Sequence, residues 1–250
     1  MSTINRNRVE VCFTPKEFQQ YEEGFDLIVV IDVLRATSAI CTALEHGVGG
    51  IIPVASLDEA RDYKKRGYIV AAERNGRVVD GFDLGNSPYS YINPEFKGKE
   101  IVLTTTNGTK AIRIAEHKKT VVIGALNNLD SLCNWLSTQN RDVLVLASGW
   151  KDKFNLEDTI CGGAIADHLI ESGKFYSDDD SSVAAKFIYR SSKENLFAYL
   201  KASSHRRRLL ALDLNADVSY CLTPNNLTAI PILKNGILVP LHDVELDTQA

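Results

Sequence analysis

The stretch LIVVIDVLRATSAI, residues 27–40, decides the fold of this chain. Its first five residues are all apolar and mostly β-branched, which predicts a strand that is covered on both faces. Asp32 follows this run at once, and a helix is predicted to begin at Ser38. A strand, a polar turn and a helix in this order are the repeating unit of α/β proteins.

The same unit recurs along most of the chain. Strands are predicted at residues 9–13, 27–31, 50–54, 68–72, 101–105, 120–123 and 143–147. Helices are predicted at residues 38–46, 57–66, 109–117, 129–138 and 156–172. Ser56 and Glu59 form a capping-box pattern at the start of the second helix. The alternation predicts an α/β fold of three layers, in which helices cover both faces of a largely parallel or mixed sheet.

The pattern changes after Gly173. A polar break, SDDDSS at residues 177–182, precedes two predicted helices at residues 183–200 and 203–212. Two short strands, at residues 230–233 and 237–240, flank the turn dipeptide Asn235-Gly236 and predict a terminal β-hairpin. We expect residues 1–250 to form a single domain, which could divide only near residues 173–182.

The composition excludes several classes of protein. The 250 residues carry a formal net charge of −4, so the chain lacks the positive charge that non-specific nucleic-acid binding needs. No apolar run approaches the ~20 residues of a membrane span, and no apolar signal core follows the N terminus. The five cysteines form no C-x-x-C pair, which argues against zinc and disulfides and favours a reducing cytoplasm. The run HRRR at residues 205–208 is interpreted as a solvent-exposed helix face.

Polar side chains follow the predicted strands at the point where each strand ends. In an open α/β sheet, ligands bind beyond the carboxyl ends of the strands. These positions hold acids, arginines, hydroxyls and glycines, which suit an anion together with a metal ion. They are Asp32, Arg35, Thr37, Ser38, Glu73, Arg74, residues 104–109 (TTTNGT), Ser148, Glu157 and Asp158.

The loop TTTNGT, residues 104–109, has the features of an anion cradle. Gly108 permits close backbone approach, and the following helix offers free N–H groups at its positive end. No G-x-x-x-x-G-K-[ST] motif is present, so the loop is not a P-loop. A well-capped turn would explain the loop equally well. Arg35 and Arg74 at neighbouring strand ends favour the anion site, because a guanidinium matches phosphate oxygens in pairs.

Five carboxylates are candidate magnesium ligands. Magnesium takes one or two protein carboxylates together with waters and phosphate oxygens, so not all five can bind it. Asp32 ends a very apolar strand, where an unpartnered charge would be costly. Acids in the first turn of a helix stabilise its dipole, so a structural role stays open for the last two. The candidates are Asp32, Glu73, Asp83, Glu157 and Asp158.

Four segments in this order resemble the magnesium-dependent 2-phosphosulfolactate phosphatases. They are residues 30–40 (VIDVLRATSAI), 73–87 (ERNGRVVDGFDLGNS), 105–110 (TTNGTK) and 156–164 (LEDTICGGA), with a weaker likeness at 217–222 and in the terminal hairpin. The resemblance implies magnesium-dependent hydrolysis of (2R)-2-phospho-3-sulfolactate to sulfolactate and phosphate. In that family the step belongs to coenzyme M biosynthesis.

The strand ends and the resemblance together give the candidate site. The expected partner is a small anionic substrate, with neither nucleic acid nor membrane, and a homodimer stays open. The catalytic candidates are Asp32, Arg35 and Asn107, and the candidate Mg²⁺ ligands are Asp32, Glu73, Glu157 and Asp158. The substrate-binding candidates are Arg35, Thr37, Arg74, Asn86, Ser87, Thr105, Thr106, Asn107, Gly108 and Thr109.

Several alternatives stay open at this point. Asp32 could attack phosphorus and form a phosphoaspartate, or it could act as a metal ligand or base while water attacks. Val33 and Leu34 follow Asp32, so the D-x-D motif of haloacid-dehalogenase phosphatases is missing. A cysteine hydrolase of the isochorismatase type would use Cys161 as nucleophile. A non-catalytic sensor of phosphorylated or sulfonated metabolites is the third possibility.

Overall fold

A computed structural model describes residues 6–116 and 119–247 of the chain. Within these residues, eleven strands form one mixed sheet. The strands are β1 Asn7–Cys12, β2 Leu27–Ile31, β3 Gly50–Pro53, β4 Ile69–Arg74, β5 Arg77–Val78, β6 Glu100–Thr104, β7 Thr120–Gly124, β8 Val143–Ala147, β9 Phe175–Tyr176, β10 Pro231–Lys234 and β11 Ile237–Pro240. Their order across the sheet is β5-β4-β6-β3-β11-β10-β7-β2-β8-β1-β9.

Helices connect the strands and form the C-terminal part of the fold. The helices are α1 Ala36–Glu45, α2 Leu57–Lys65, α3 Gly108–Ala115, α4 Leu129–Leu136, α5 Leu156–Glu171, α6 Asp180–Ser192, α7 Leu196–Tyr199, α8 Ser204–Leu210, α9 Asn215–Cys221 and α10 Leu241–Asp247. In the described ranges, none of these helices combines the length and the apolar character that a membrane crossing requires.

The β10–β11 hairpin lies in the middle of the sheet and separates two parallel groups of strands. β4, β6 and β3 form one group, and β7, β2, β8, β1 and β9 form the other. β11 is antiparallel to β3, and β10 is antiparallel to both β11 and β7. The two groups therefore run in opposite directions along the ladder.

Sheet twist brings the carboxyl ends of the two groups together. In a flat sheet, the ends of β6 and β2 would lie at opposite edges. A twist of about 20–25° per strand accumulates to roughly 100° or more over the five steps between them. One cleft is lined by Asp32, which follows β2, and by Thr106, which follows β6. The cleft thus joins residues that follow strands of both groups.

The core consists of three clusters on the two faces of the curved sheet. α4, α5 and the C-terminal helices cover the outer face of β1, β2 and β8. α2 covers the outer face of β3, β4 and β6. α1 and α3 lie on the inner face and contact both parallel groups, with Ile28 and Val30 on one side and Ile101 and Leu103 on the other. The expected arrangement of helices on both faces of a mixed sheet is confirmed.

The C-terminal helices differ from the expectation. The single helix predicted at residues 183–200 is wrong, because α6 ends at Ser192 and α7 begins at Leu196. Asn195 explains the break: its side chain accepts a hydrogen bond from the Ala198 N–H at 2.9 Å and starts a new helix. α9, α10 and the two-residue strands β5 and β9 were not predicted, and His117, the predicted end of the third helix, lies outside the described residues.

The segment near residues 173–182 is attached to the sheet. β9 pairs with β1, and the Val11 N–H donates to Ser182 Oγ at 2.9 Å. Ser181 Oγ donates to the Val11 carbonyl oxygen at 2.6 Å. These contacts attach the polar break to β1, the strand next to the β9 edge of the sheet, and the single domain stays a prediction. The terminal hairpin is confirmed, with the expected left-handed turn at Asn235 (φ 53°) and Gly236 (φ 80°).

Candidate active site

A cleft of about 600 Å³, counting its open mouth, lies where the carboxyl ends of β2, β4, β6 and β8 meet α8. Its wall combines acids, amides, cationic side chains and three leucines. The lining residues are Asp32, Leu34, Arg35, Glu73, Asn75, Gly76, Asn86, Thr106, Asn107, Trp150, His205, Arg208, Leu209 and Leu212. The cleft therefore contains all three residues predicted as catalytic.

Asp32 is fixed in the wall by the start of α1. The Asp32 N–H donates to Thr37 Oγ1 at 3.0 Å, and the Thr37 N–H donates to the Asp32 carbonyl oxygen at 2.9 Å. The Asp32 carboxylate accepts a hydrogen bond from the Ala36 N–H at the helix N terminus. Thr37 is fully buried and holds Asp32 in place, so the structure gives it a supporting position rather than one in the cleft.

The environment of Asp32 disfavours its charge. Burial raises the pKa of Asp32 to about 7. His205 opposes this shift, whereas the nearby carboxylates of Glu73 and Glu157 add to it. A cation bound beside Asp32 would relieve both the burial cost and the repulsion between these acids.

Gly108 brings the start of α3 against Asp32. A Cβ atom at Gly108 would lie 2.8 Å from Asp32 Oδ2 and 2.9 Å from the Cβ of Ala36, so a side chain does not fit there. The Thr105 and Thr109 hydroxyls accept hydrogen bonds from each other's N–H groups at 3.2 Å and close the loop. With the loop closed in this way, residues 106 and 107 lie at the cleft wall.

Thr106 and Asn107 are the loop residues that line the cleft. Asn107 Oδ1 accepts a hydrogen bond from the Lys151 N–H at 3.0 Å. This contact fixes the orientation of the amide and directs the NH₂ group away from Lys151. An anion in the cleft could therefore accept hydrogen bonds from Asn107 and from the first N–H groups of α3.

Glu73 lies at the end of β4 and is tied to the tight turn that follows it. Glu73 Oε1 accepts a short hydrogen bond from the Gly76 N–H, and Glu73 Oε2 lies 3.5 Å from the Thr106 hydroxyl. The turn residues Asn75 and Gly76 have φ values of 55° and 83°, in the left-handed region that these residues tolerate. Glu73 thus connects the β4–β5 turn with the loop after β6.

Arg35 is buried between the β4–β5 turn and α9. One of its Nη atoms forms an ion pair with Asp217, and the other donates to the Gly76 carbonyl oxygen at 2.8 Å. Arg35 and Asp217 are 3% and 6% exposed, so the pair is shielded from water. Two of the five guanidinium donors have partners here, which leaves other N–H groups for the cleft that Arg35 lines.

Asp158 is occupied by structural hydrogen bonds. Its carboxylate accepts from the Val33 N–H at 2.8 Å, the Gly149 N–H at 3.1 Å and Asn155 Nδ2 at 2.9 Å. These bonds join the start of α5 to the loops after β2 and β8. Asp158 is not among the described residues that line the cleft. Its hydrogen bonds fix the loops after β2 and β8 against α5.

Glu157 makes a buried pair with a residue of α8. Glu157 Oε1 lies 2.6 Å from His205 Nδ1, and Glu157 Oε2 accepts from Ser203 Oγ at 3.2 Å. Glu157 itself is 1% exposed, whereas His205 lines the cleft. Of the four predicted metal ligands, the structure therefore brings Asp32 and Glu73 into the cleft and places the other two behind its wall.

Further predicted residues lie outside the cleft lining. Arg74 donates to its neighbour's carbonyl oxygen at 2.6 Å and to Thr104 Oγ1 at 3.2 Å. Asp83 also lies outside the lining, where its carboxylate pairs with Lys64 and accepts from the Val70 N–H at 2.9 Å. The substrate-binding candidates that are absent from the lining, within the described chain, are Thr37, Arg74, Ser87, Thr105, Gly108 and Thr109.

The sequence interpretation missed the contribution of the C-terminal helices. The run at residues 205–208 was expected to be solvated, but His205 and Arg208 line the cleft and Arg206 is buried over the Phe197 ring. His205 and Arg208 are three residues apart, which places them on one face of α8. This spacing was the sequence signal that could have placed both side chains on the same side of the helix. The roles of Trp150 and Asp217 left no comparable pattern.

Oxygen atoms in the cleft fit magnesium. Asn86 is 5% exposed and lines the cleft, and its Oδ1 atom has no hydrogen-bond partner in the part of the chain that the structure describes. No group of three His, Cys, Asp or Glu residues suited to a metal occurs among the described residues. Magnesium needs only one or two carboxylates, so Asp32, Glu73 and the amide oxygen of Asn86 are a sufficient protein contribution.

Cys161 lacks the environment of a nucleophile. It is fully buried in α5, and burial with the nearby Asp158 raises the pKa of its thiol well above the usual range. The thiolate is the reactive form of cysteine, so this shift suppresses reactivity. The site geometry therefore disfavours the isochorismatase-type alternative.

Comparison with known proteins agrees with the four segments. A family model described as 2-phosphosulpholactate phosphatase matches residues 12–236. A protein of Caldanaerobacter subterraneus subsp. tengcongensis named "Probable 2-phosphosulfolactate phosphatase" is 39% identical over 220 residues, covering 86% of this chain and 91% of that protein. Proteins of the same name from Picosynechococcus sp. and Thermotoga petrophila are 39% and 38% identical, covering 85% and 84% of this chain and 90% of each relative. The resemblance is confirmed, and the chain belongs to the 2-phosphosulfolactate phosphatase family.

Proposed function

We propose that this protein hydrolyses (2R)-2-phospho-3-sulfolactate to 3-sulfolactate and phosphate with the help of Mg²⁺. The observation that carries the proposal is the meeting of Asp32, Glu73 and Asn86 with the Thr106–Asn107 loop in one cleft. Family membership supports the substrate, since the relatives are named for this activity. Coenzyme M biosynthesis, a cytoplasmic location and homodimer formation stay predictions.

Asp32, Glu73 and Asn86 would hold the magnesium ion. The two carboxylates are nine-tenths buried or more, and Asn86 Oδ1 lacks a partner among the described residues. Burial raises the pKa of Asp32, the carboxylates of Glu73 and Glu157 add to the shift, and a bound cation would favour the charged form. Bound magnesium would polarise the phosphoryl oxygens and stabilise charge that develops in the transition state.

The remaining cleft residues would orient the phosphoryl group. The Asn107 NH₂ group and the first N–H groups of α3 would donate to its oxygens, and the contact between Lys151 and Asn107 Oδ1 supports this orientation. Arg35 would add further N–H donors, and its pairing with Asp217 fixes its position. Donors fixed in advance stabilise the transition state without reorganising during the reaction.

We assign attack to a water molecule, with Asp32 accepting its proton through a carboxylate oxygen. A new phosphorus–oxygen bond forms, the bond between phosphorus and the C2 oxygen breaks, and that oxygen takes up a proton. The alternative route would place the phosphoryl group on Asp32. Rapid acid quenching with radiolabelled substrate separates the two, because an acyl phosphate survives in acid and would label the protein.

The experiment that tests the proposal is phosphate release from phosphosulfolactate. We expect release that EDTA abolishes and added Mg²⁺ restores. Asp32→Asn should lose release, and Asp83→Asn is the matched control, because Asp83 pairs with Lys64 and lies outside the cleft lining. Release that does not depend on a metal ion would contradict the magnesium site. Tight binding without turnover at any Mg²⁺ concentration would indicate a sensor instead.

A further inference from the structure

The basic side chains in the cleft do not all have carboxylate partners. Arg35 is paired with Asp217, and His205 is paired with Glu157. Arg208 also lines the cleft, but within the described chain it has no carboxylate partner. Among the described residues, Arg208 is the one basic side chain of the cleft without a carboxylate partner, so its charge is available to a ligand.

Arg208 is held in a defined position. Its guanidinium lies 4.2 Å from the centroid of the Trp150 ring, and its Nη1 atom is 3.4 Å from Ser204 Oγ. Stacking on an indole face leaves the N–H groups at the guanidinium edge free to donate. Trp150 thus supports the cation without neutralising it.

The charge of the substrate requires such a group. Phosphosulfolactate carries a carboxylate and a sulfonate besides its phosphate. A magnesium ion would offset Asp32 and Glu73, and its remaining coordination sites would go to the phosphate and water. The donors described for the phosphoryl group leave the two other anionic groups without a cationic partner. Arg208 is placed to supply one.

We propose that Arg208, stacked on Trp150, binds the sulfonate of the substrate and makes the enzyme selective for sulfonated phosphate esters. This inference rests on the proposed function. A guanidinium is weakly hydrated, as is a sulfonate, so pairing them costs less dehydration than pairing a guanidinium with a strongly hydrated carboxylate. Leu209 and Leu212 lie in the same cleft wall and add apolar surface to it.

The test compares two substrates in Arg208 variants. The substrates are phosphosulfolactate and the phosphate ester of lactate, which has a methyl group in place of the sulfonate-bearing carbon. Because the variant loses a charge-assisted hydrogen bond to the sulfonate, Arg208→Met should lower kcat/KM for phosphosulfolactate about 10- to 100-fold, mainly through KM. Activity on the lactate ester should change less than about twofold, and Arg208→Lys should fall between.

Arg207→Met is the control, because Arg207 is the exposed neighbour on the same helix. We expect this variant to retain the wild-type ratio of the two kcat/KM values. Equal losses on both substrates in Arg208→Met, or no loss on either, would overturn the inference. Thermal melts of all variants would show whether a loss reflects unfolding.

Binding gives a readout that is independent of turnover. Sulfolactate added to the protein with EDTA should change the fluorescence of Trp150, and Arg208→Met should weaken this binding at least about tenfold. Trp150→Phe identifies the responding indole, since Trp135 is the second tryptophan. If the wild type binds sulfolactate through Arg208 but hydrolyses neither ester, the proposed function fails and the sulfonate site stands. If it hydrolyses phosphosulfolactate with no preference that depends on Arg208, the sulfonate site fails.

Discussion

Glu157 and His205 are joined by a 2.6 Å hydrogen bond between Oε1 and Nδ1, although they are 48 residues apart in the chain. Glu157 belongs to the first turn of α5, next to the sheet, and His205 belongs to α8. The bond holds the C-terminal helices over the carboxyl ends of the strands. The cleft therefore depends on a contact between α5, beside the sheet, and the C-terminal helices.

Replacing Glu157 tests this contact. Glu157→Ala leaves His205 and Ser203 without their shared partner, and we expect the free energy of unfolding to fall by about 1–3 kcal/mol, with loss of most activity. Glu171→Ala is the control, because this acid of the same helix is exposed and should cost about 0.5 kcal/mol or less. Urea denaturation of both variants measures the difference. Equal stability of the two would show that the pair does not secure α8.

The pKa of Asp32 predicts how metal-free protein responds to pH. The ordinary value is 3.8 and the folded value is about 7, so the folded state binds the proton more tightly than the unfolded state. The contribution of Asp32 to stability is therefore complete below pH 4 and is lost as the pH rises towards 7 and above. The loss is roughly 2–4 kcal/mol, and it adds to a loss of the same sign from Asp158.

Asp32→Asn should remove the part of this loss that belongs to Asp32. In EDTA at pH 8 we expect the variant to be more stable than the wild type, although it loses nearly all turnover. Thermal melts between pH 4 and pH 8 provide the measurement. A wild-type protein whose stability rises steadily over that range, in parallel with the variant, would contradict the raised pKa.

Gly108→Ala tests the close approach of α3 to Asp32. The added methyl group would meet Asp32 Oδ2 and the Cβ of Ala36 at less than 3 Å, so α3 or Asp32 must move. We expect a loss of about 1–3 kcal/mol in stability and at least a tenfold loss in kcat/KM. Gly24→Ala is the control, since its nearest neighbour is the flexible end of Arg8. Wild-type kinetics in Gly108→Ala would remove this contact from the site.

The buried pair of Arg35 and Asp217 predicts a non-additive cycle. Arg35→Met or Asp217→Leu alone leaves one buried charge without its partner, and each should cost about 3–5 kcal/mol. The double variant should recover a large part of this loss in stability but not the activity. The exposed pair of Lys64 and Asp83 serves as comparison and should contribute at most about 1 kcal/mol. Additive effects at Arg35 and Asp217 would contradict a specific buried pair.

The thiols provide a prediction for the cysteine-hydrolase alternative. All five cysteines are buried, and burial raises the pKa of Cys12 to about 12. Native protein should react with a disulfide reagent far more slowly than protein in denaturant, and Cys161→Ala should retain turnover. Rapid modification of Cys161 in the native state, with matching loss of activity, would restore that alternative.

The sequence allowed the strands and the cleft acids to be predicted, because both leave local signals. Continuous apolar runs such as Leu27–Ile31 mark buried strands, and Asp32 and Glu73 stand at their ends. Asn86, Thr106 and Asn107 were found through the resemblance and the loop pattern. Thr106 and Asn107 follow β6 closely in sequence, so each must lie near the carboxyl end of that strand.

The partners of these residues could not be predicted from local pattern. Whether Glu157 faces a metal or a histidine depends on where α8 packs, and that is decided by contacts between residues far apart in the chain. Asp217 is in the same situation, since its role appears only when α9 lies against Arg35. The strand ends were expected to meet because the carboxyl ends of parallel strands share one edge of a sheet, and this reason was wrong. Their meeting follows from the twist of a mixed sheet, because the two parallel groups run in opposite directions.

The central position of the β10–β11 hairpin has a consequence for synthesis on the ribosome. The hairpin follows the nine other strands of the described chain, yet β11 pairs with β3 and β10 with β7. Until residues 231–240 emerge, β3 and β7 each present an unpaired edge, and no other described strand joins the two halves of the sheet. A nascent chain that stalls before the hairpin would expose the unpaired backbone groups of two edge strands. Such a chain should depend on chaperones and should aggregate when they are scarce.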